Sequence, residues 1–286
     1  MVDVKQLATP IKPHWCPGCG DFGLLMGVKQ AISELNLEPE KVAIASGIGC
    51  SSHLPNYVQT FGIHSIHGRS LPVATGVKLA NPDLTVLIYG GDGDGYGIGM
   101  GHFIHTIKRN IDITYIVADN QIYGLTKGQT SPTSEKGVKT VSTPHGSPEE
   151  PIHPLHLAIA AGATFVARGF AGDVIHFKEI LKQAIQHKGF SLIDCFQPCV
   201  VWNKVNTYAW VKERAYKLGD DYDPTDKKAA IEKAMEDPTK KIALGVIYKE
   251  EGKPTYIDEV PYIKHPVVGH KITDKIDVKS LIDMYR

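Results

Sequence analysis

The chain has 286 residues, of which 42% are hydrophobic and 22% are charged, ordinary proportions for a globular protein built around one α/β domain. Its 31 basic and 31 acidic residues cancel, so there is no basic excess to neutralise phosphates, and nucleic acid is not expected as a partner. The first residues carry charges at Asp3, Lys5 and Lys12, and no apolar stretch reaches the ~18 residues of a membrane helix, so we expect a cytoplasmic protein that does not enter a membrane.

Short apolar runs alternate with helical patterns along the first two hundred residues. In chain order, this alternation predicts helix Gly23–Leu35, strand Val42–Ser46, helix Pro72–Ala80, strand Leu84–Tyr89, helix Gly99–Lys108, strand Ile113–Ala118, helix His153–Ala161, strand Thr164–Ala167, helix Val174–Gln186 and strand Ser191–Phe196. Buried strands that alternate with helices form a mostly parallel α/β sheet with helices on both faces. Ligands of such sheets bind outside the carboxyl ends of the strands.

The pattern weakens after the last of these strands. We expect residues 1–205 to form the ligand-binding domain and residues 206–286 to form a C-terminal extension that packs on that domain or on a partner subunit. Within the extension, the pattern predicts a helix over Tyr208–Leu218. The segment Thr126–Glu150 is rich in Ser, Thr, Pro and Gly and is typical of a long functional loop.

A glycine-rich, acidic segment, Gly90–Gly99, follows the second predicted strand. Glycines allow backbone N–H groups to approach an anion, but Asp92 and Asp94 would repel phosphate unless a hard cation lies between at least one of them and the phosphate. Mg²⁺ prefers one or two carboxylates together with phosphate oxygens, and Asn120 and the carbonyl of Ile122 offer further oxygen ligands after the next strand. A solvated turn is the competing interpretation. The segment has no P-loop lysine and is too acidic for a dinucleotide fingerprint.

The five cysteines are the second chemical feature. Cys16 and Cys19 form a tight C-x-x-C, Cys50 follows the first predicted strand, and Cys199 follows the last one. Cys195 lies inside an apolar run and is expected to pack as a small hydrophobe. We therefore predict that Cys16, Cys19, Cys50 and Cys199 hold one 4Fe–4S cluster. A structural zinc site, a redox dithiol, and isolated core cysteines at Cys50 or Cys199 are the alternatives.

Four motifs, in this order, resemble the beta subunit of 2-oxoacid:ferredoxin oxidoreductases. They are Trp15-Cys16-Pro17-Gly18-Cys19-Gly20, Gly47-Ile48-Gly49-Cys50, the Gly-Asp-Gly-Asp segment at 91–94, and the run from Asn120 to Gln129, and they span roughly Trp15 to Cys199. The resemblance implies a thiamine-diphosphate-binding fold that holds thiamine diphosphate, Mg²⁺ and the 4Fe–4S cluster. It assigns the magnesium ligands to Asp92, Asn120 and Ile122.

The resemblance also implies which other residues surround the cofactor. Those expected to line it are Ile48, Gly49, Cys50, Ser51, His67, Gly91, Gly93, Asp94, Gly124, Leu125 and Thr126. His67, Arg69 and Lys127 are the expected catalytic residues. His67 would contact the diphosphate or the substrate, Arg69 would pair with a substrate carboxylate, and Lys127 would attract anionic substrate or coenzyme A. As alternatives, His67 is a structural histidine, Arg69 forms a surface or interface ion pair, and Lys127 is a solvated loop lysine.

The implied reaction is the coenzyme A-dependent oxidative decarboxylation of a 2-oxoacid, or the reverse carboxylation, with ferredoxin as the electron partner. The segments His64–Arg69 and Leu71–Gly76 look more like the 2-oxoglutarate or broad 2-oxoacid type than the dedicated pyruvate type. The 2-oxoglutarate type, which we expect, forms succinyl-CoA and CO₂. Some broad-specificity members carry a lysine in place of His53, so pyruvate or a range of 2-oxoacids stays an alternative.

The chain offers one cofactor-binding domain and no second one, so we expect an obligate alpha subunit that bears the activating glutamate, in an α2β2 assembly. Two rival interpretations each leave part of the pattern unexplained. A non-redox thiamine-dependent decarboxylase does not account for the four cysteines. A cluster-only or zinc-binding electron-transfer module does not account for Asp92 and Asn120.

Overall fold

In residues 2–260, 266–269 and 278–283, which are the residues that the computed structural model describes, eight strands form one sheet in the order β2-β1-β3-β4-β6-β5-β8-β7. The strands are β1 (Val42–Ser46), β2 (Phe61–His64), β3 (Thr85–Gly91), β4 (Thr114–Asp119), β5 (Phe165–Phe170), β6 (Ser191–Phe196), β7 (Ala215–Lys217) and β8 (Ile242–Lys249). All neighbouring pairs are parallel except β5 and β8, which are antiparallel.

Nine α-helices are present in the described residues, and several of them pack on the two faces of this sheet. They are α1 (Asp21–Glu34), α2 (Ser70–Ala80), α3 (Met100–Lys108), α4 (Pro154–Ala161), α5 (Val174–Gln186), α6 (Tyr208–Arg214), α7 (Lys227–Ala234), α8 (Tyr256–Glu259) and α9 (Val278–Asp283). Shorter 3₁₀ helices span Pro39–Lys41, Ser51–Tyr57 and Val267–Gly269, and a π-helical turn spans Gly93–Ile98. Within the described part of the chain, none of these helices is long and apolar enough to cross a membrane.

Two apolar clusters lie on opposite faces of the sheet. Side chains of α1 and α5, such as Leu24 and Phe177, pack with Ile44 in one cluster. Side chains of α2, α3, α4 and α7, such as Phe103, pack with Ala43 and Ala45 in the other. Successive residues of a strand point to opposite faces, so β1 contributes to both clusters. The predicted fold, a mostly parallel sheet with helices on both faces, is confirmed.

The C-terminal part differs in detail from the prediction. The helix predicted over Tyr208–Leu218 ends at Arg214, and Ala215–Lys217 forms β7, which pairs with β8. The prediction of helix for those last residues is wrong because pairing with β8 favours the extended backbone. β8 itself adds to the main sheet beside β5, so this part of the predicted extension packs on the domain. The rest of the extension, residues 261–265, 270–277 and 284–286, lies outside the described residues.

The strand register places the site. Gly91 of β3 pairs with Ala118 of β4, and Asp119 of β4 pairs with Phe196 of β6. Residues that directly follow these three strands therefore lie at similar heights along one edge of the sheet.

Candidate functional site

A cavity of about 200 Å³ opens where β1, β3 and β4 end. Its lining consists of Ile48, Gly49, Cys50, Ser51, His67, Gly91, Asp92, Gly93, Asp94, Asn120, Ile122, Tyr123, Gly124, Leu125 and Thr126. Every residue that the sequence predicted to line the cofactor or to bind magnesium is in this set. Tyr123 is the one lining residue that the sequence reasoning missed.

Asp92 follows β3 and is 1% exposed. Its Oδ2 accepts a hydrogen bond of 2.7 Å from the hydroxyl of Thr133, which also lies 2.7 Å from Oδ1 of Asp119. A hydroxyl has a single proton, so Thr133 can donate to only one of these carboxyl groups at a time. Burial raises the pKa of Asp92, and a divalent cation beside it would favour the ionised form instead.

Asn120 follows β4, and a turn fixes its side chain. Its Oδ1 accepts from the backbone N–H of Ile122 at 3.2 Å, and its Nδ2 donates to Oε1 of Gln197 at 3.0 Å. Gln121 between them has a positive φ of 57°, a left-handed conformation that bends the chain sharply at the end of the strand. This turn brings Asn120 and Ile122 to the cavity that Asp92 lines.

Asp94 lines the cavity and holds three loops together there. Its Oδ1 accepts from the backbone N–H of Ile48 at 2.9 Å, from the backbone N–H of Gly68 at 2.7 Å, and contacts Nδ1 of His67 at 2.9 Å. Gly47 is required beside it, because a Cβ atom there would lie 1.9 Å from Oδ2 of Asp94. Oδ2 is buried and has no hydrogen-bond partner among the residues that the structure describes.

The three predicted catalytic residues are placed differently from one another. His67 lines the cavity, and 38% of its side chain is exposed. Arg69 lies outside the lining, and its Nη1 donates to the carbonyl oxygen of Gly68 at 3.3 Å. Lys127 also lies outside it, on an exposed turn with a φ of 77°. The structure therefore brings only His67 beside Asp92.

Tyr123 closes one wall of the cavity. Its hydroxyl donates to the carbonyl oxygen of Gly93 at 3.1 Å, and burial raises its pKa. A Cβ atom on Gly93 would come within 2.2 Å of the Tyr123 ring, so the close approach depends on glycine. The sequence offered a faint signal for Tyr123, since it lies in the run that follows Asn120.

A second cavity of about 180 Å³ lies next to the first and is lined by Cys16, Cys19, Cys50 and Cys199. The other lining residues are His14, Trp15, Asp21, His53, Asn120, Gly124, Leu125, Gln197, Val200, Val201 and Trp202. All five cysteines are free thiols, and Cys195 is buried in the core. In the described residues, no three His, Cys, Asp or Glu side chains are placed to hold a single metal ion.

The thiols are held by contacts from several segments. Trp15 Nε1 donates to the carbonyl oxygen of Cys50 at 2.6 Å, and the backbone N–H of Cys19 donates to the carbonyl oxygen of Cys16 at 2.9 Å. Burial raises the pKa of Cys19, and it raises the pKa of Cys50 to about 11. These thiols are therefore protonated at neutral pH until a metal displaces the protons.

Asp21 is a further buried acid beside the thiols, and sequence reasoning missed it. It is 0% exposed, accepts from the hydroxyl of Tyr89 at 3.0 Å and lies 3.4 Å from Sγ of Cys19. Burial raises its pKa to about 6. No spacing in the sequence marks Asp21 as different from any acid in the first turn of a helix.

A third and larger cavity, of about 510 Å³, lies on the other side of Thr133. Arg168 and Asp194 line it, with Nε of Arg168 3.9 Å from Oδ2 of Asp194. The hydroxyl of Tyr96 donates to Oδ1 of Asp194 at 2.9 Å, and burial raises the pKa of Asp194 to about 6. The predicted site residues do not line this cavity.

Two family profiles match the chain. Residues 42–195 match the profile described as thiamine pyrophosphate enzyme, C-terminal TPP binding domain. Residues 199–265 match the profile for the C-terminal part of the pyruvate ferredoxin oxidoreductase beta subunit. Together they cover the strands that build both cavities.

Similar proteins and structures give the same picture. The 2-oxoacid:ferredoxin oxidoreductase 1, subunit beta, of Aeropyrum pernix is 47% identical over 88% of this chain and 83% of its own. The 2-oxoglutarate synthase subunit KorB of Methanocaldococcus jannaschii is 37% identical over 96% of this chain and 97% of its own. The 2-oxoglutarate:ferredoxin oxidoreductase from Magnetococcus marinus, solved with 2-oxoglutarate, coenzyme A and succinyl-CoA bound, has a TM-score of 0.92 at 39% identity and covers 100% of this chain and 96% of that one.

Proposed function

This chain belongs to the beta subunits of the 2-oxoacid:ferredoxin oxidoreductases, and from that premise we propose that it holds thiamine diphosphate, Mg²⁺ and one 4Fe–4S cluster. Its complex oxidises 2-oxoglutarate with coenzyme A to succinyl-CoA and CO₂ and passes the electrons to ferredoxin. Because the family is one of oxidoreductases, the non-redox decarboxylase and the cluster-only module predicted as rivals are the weaker interpretations.

One observation carries the proposal. The cavity beneath Asp92 and the cavity between the four thiols share a wall made of Cys50, Asn120, Gly124 and Leu125. A Cβ atom on Gly124 would lie 3.5 Å from Sγ of Cys199 and 3.9 Å from Sγ of Cys50, so this residue of the first cavity's lining lies close to two of the thiols. A reaction that moves electrons from a bound cofactor to a cluster requires two sites in such contact.

The first cavity fits a diphosphate and a hard cation. Asp92, Asn120 and the carbonyl of Ile122 supply oxygen donors, which Mg²⁺ prefers. Gly91 and Gly49 leave room for a ligand against the backbone, and Gly49 has a φ of 148° that favours glycine. When bound, thiamine diphosphate supplies the carbanion chemistry at the keto carbon of the substrate.

The second cavity fits an iron–sulfur cluster. Four thiols line one space, and four thiolates are the ligand set of a cubane cluster. Val200, Val201 and Trp202 form much of the remaining wall, and an apolar wall of this kind influences the potential of a cluster.

The substrate proposal rests on the relatives. The structure from Magnetococcus marinus carries 2-oxoglutarate, and the subunit of Methanocaldococcus jannaschii is named for 2-oxoglutarate. The more similar subunit of Aeropyrum pernix is named only for 2-oxoacids, which favours broad specificity as the second candidate. Arg69 and Lys127 lie outside the cofactor cavity, so we assign them to contacts with anionic substrate or coenzyme A at its rim.

A beta subunit has partner subunits, and we propose an alpha subunit in an α2β2 complex. The described residues that line the cofactor cavity include no glutamate, so the carboxylate that activates thiamine comes from that partner. The cavity wall beside Ile48 and Leu125 is exposed in this chain and offers a surface for it, since their side chains are 37% and 51% exposed.

An anaerobic assay of the co-purified complex tests the proposal. Reduction of a low-potential viologen dye should require coenzyme A and thiamine diphosphate and should be faster with 2-oxoglutarate than with pyruvate or 2-oxobutyrate. Equal rates with the three acids favour broad specificity. Protein that contains thiamine diphosphate but neither iron nor dye-reducing activity contradicts the proposal.

A further inference from the structure

Gln197 is a buried side chain between the two proposed cofactor sites. It directly follows β6, is 1% exposed, and its backbone N–H donates to the carbonyl oxygen of Asp119 at 2.9 Å. A Cβ atom on Gly20 would lie 2.9 Å from Cγ of Gln197, so the C-x-x-C segment packs closely against it. The side chain therefore has little freedom to move.

The amide of Gln197 contacts one proposed ligand of each metal centre. Its Oε1 accepts from Nδ2 of Asn120 at 3.0 Å, and its Nε2 donates to Sγ of Cys19 at 3.1 Å. Asn120 is a proposed magnesium ligand, and Cys19 is a proposed cluster ligand. One planar group thus contacts a proposed ligand of each site.

The amide has two possible orientations, and the proposed cofactors select between them. In the reversed orientation its oxygen accepts from the backbone N–H groups of Gly20 and Asp21, each at 3.2 Å, but its nitrogen then faces Nδ2 of Asn120 at 3.0 Å. Two donors cannot face each other, so Asn120 would have to turn and present nitrogen to the cation.

A cation requires the oxygen of Asn120, and a cluster-bound thiolate at Cys19 is a good acceptor. Both cofactors therefore favour the orientation in which Gln197 accepts from Asn120 and donates to Cys19. A hydrogen bond to a cluster sulfur stabilises the extra electron of the reduced cluster, because that electron places negative charge on the sulfur.

We propose that Gln197 is a positioning residue that couples the two centres: it holds the oxygen of Asn120 toward magnesium and, by its N–H···S contact with Cys19, raises the reduction potential of the cluster. This inference rests on the proposed function. Outer partners of metal ligands commonly change metal affinity about 10–100-fold when they are removed.

Three variants of the complete complex with the partner subunit separate the two contacts. Gln197→Met removes both. Gln197→Glu, when ionised at pH 9, keeps an acceptor for Asn120 and adds a negative charge, but it lacks the donor to Cys19. Gln30→Met is the control, on a half-buried position of α1 that touches neither cavity. The midpoint potential is measured by redox titration followed by electron paramagnetic resonance. The Kd of thiamine diphosphate at fixed Mg²⁺ is measured by calorimetry at pH 9.

Gln197→Met should lower the midpoint potential and raise the Kd by about 10–100-fold. Gln197→Glu should lower the potential while the Kd stays close to that of the wild type, and Gln30→Met should change neither. If the Gln197→Met complex does not retain the cluster, the midpoint potential of the isosteric Gln197→Glu complex is the deciding measurement. An unchanged potential in a cluster-containing Gln197→Glu complex overturns the inference alone, whereas a wild-type complex without any cluster signal overturns the proposed function as well.

Discussion

Replacement of Asp94 by alanine should weaken the fold of the site before it affects any ligand. The carboxylate accepts from the N–H of Gly68, which is buried, and from the N–H of Ile48, which is partly buried. Alanine cannot accept, so both N–H groups lose their partner. The loops after β1 and β2 then lose the group that joins them to the turn after β3.

The size of the effect follows from these two donors. A buried N–H without a partner costs about 1–3 kcal/mol, and a partly buried one about 0.5–1.5 kcal/mol. The free energy of unfolding should therefore fall by roughly 1.5–4.5 kcal/mol, which lowers Tm by roughly 3–18 °C for a domain of this size. His67→Ala removes only a half-exposed contact with the same carboxylate and should cost less than about 1 kcal/mol.

The Tm is measured by calorimetry on the protein without thiamine diphosphate, so that contact with the cofactor cannot contribute. Asp83→Ala, on an exposed position, controls for the change in charge. If Asp94→Ala leaves this Tm unchanged and weakens only the binding of thiamine diphosphate, Asp94 acts on the cofactor directly and the reasoning from its loop contacts is wrong.

Three further predictions concern single side chains around the cavities. Thr133→Val removes the hydroxyl that contacts Asp92 and should weaken Mg²⁺-dependent binding of thiamine diphosphate about 10–100-fold by calorimetry, whereas an unchanged Kd would show that Asp92 is held without it. Gly93→Ala forces a methyl group into the ring of Tyr123 and should lower the free energy of unfolding in urea by about 1–3 kcal/mol. The double variant with Tyr123→Ala should regain part of that free energy, and the absence of any recovery contradicts the clash. The pKa of Asp194 is raised to about 6 in the fold from an ordinary 3.8, so its contribution to stability is present below pH 4 and is lost as the pH rises through 6. The stability of the wild type relative to Asp194→Asn, measured as the difference between their Tm values, should therefore fall between pH 4 and 7 by an amount equivalent to about 3 kcal/mol. A difference that does not change with pH refutes this prediction.

The sequence predicted the central elements well because their patterns are long and their burial is complete. The bounds of β1, β6 and α5 agree with the prediction, because the two strands are short runs rich in apolar residues and α5 has a clear helical repeat. β2 was missed because it has only four residues and lies at the edge of the sheet with exposed side chains. β8 was missed although it is apolar, because charged residues flank it in the sequence and its partner β5 lies far away along the chain.

The membership of the site could be predicted from motifs, but the contacts within it could not. The residues after β1, β3 and β4 come together because parallel strands end at one edge, which the alternation of elements already implies. The role of Asp94 as a common acceptor depends on loops after three different strands, and that of Gln197 depends on the packing of the C-x-x-C segment against the end of β6. These contacts depend on tertiary packing, and no spacing in the sequence predicts them.

The wide separation of the thiols along the chain has a consequence for biogenesis. Cys16 and Cys19 leave the ribosome early, whereas Cys199 follows β6. The pocket therefore lacks its fourth thiol until β6 has inserted between β4 and β5. A nascent chain that stops before β6 can therefore offer iron only a partial set of ligands. Under the proposed cluster assignment, insertion of the cluster would therefore follow the folding of the sheet instead of preceding it.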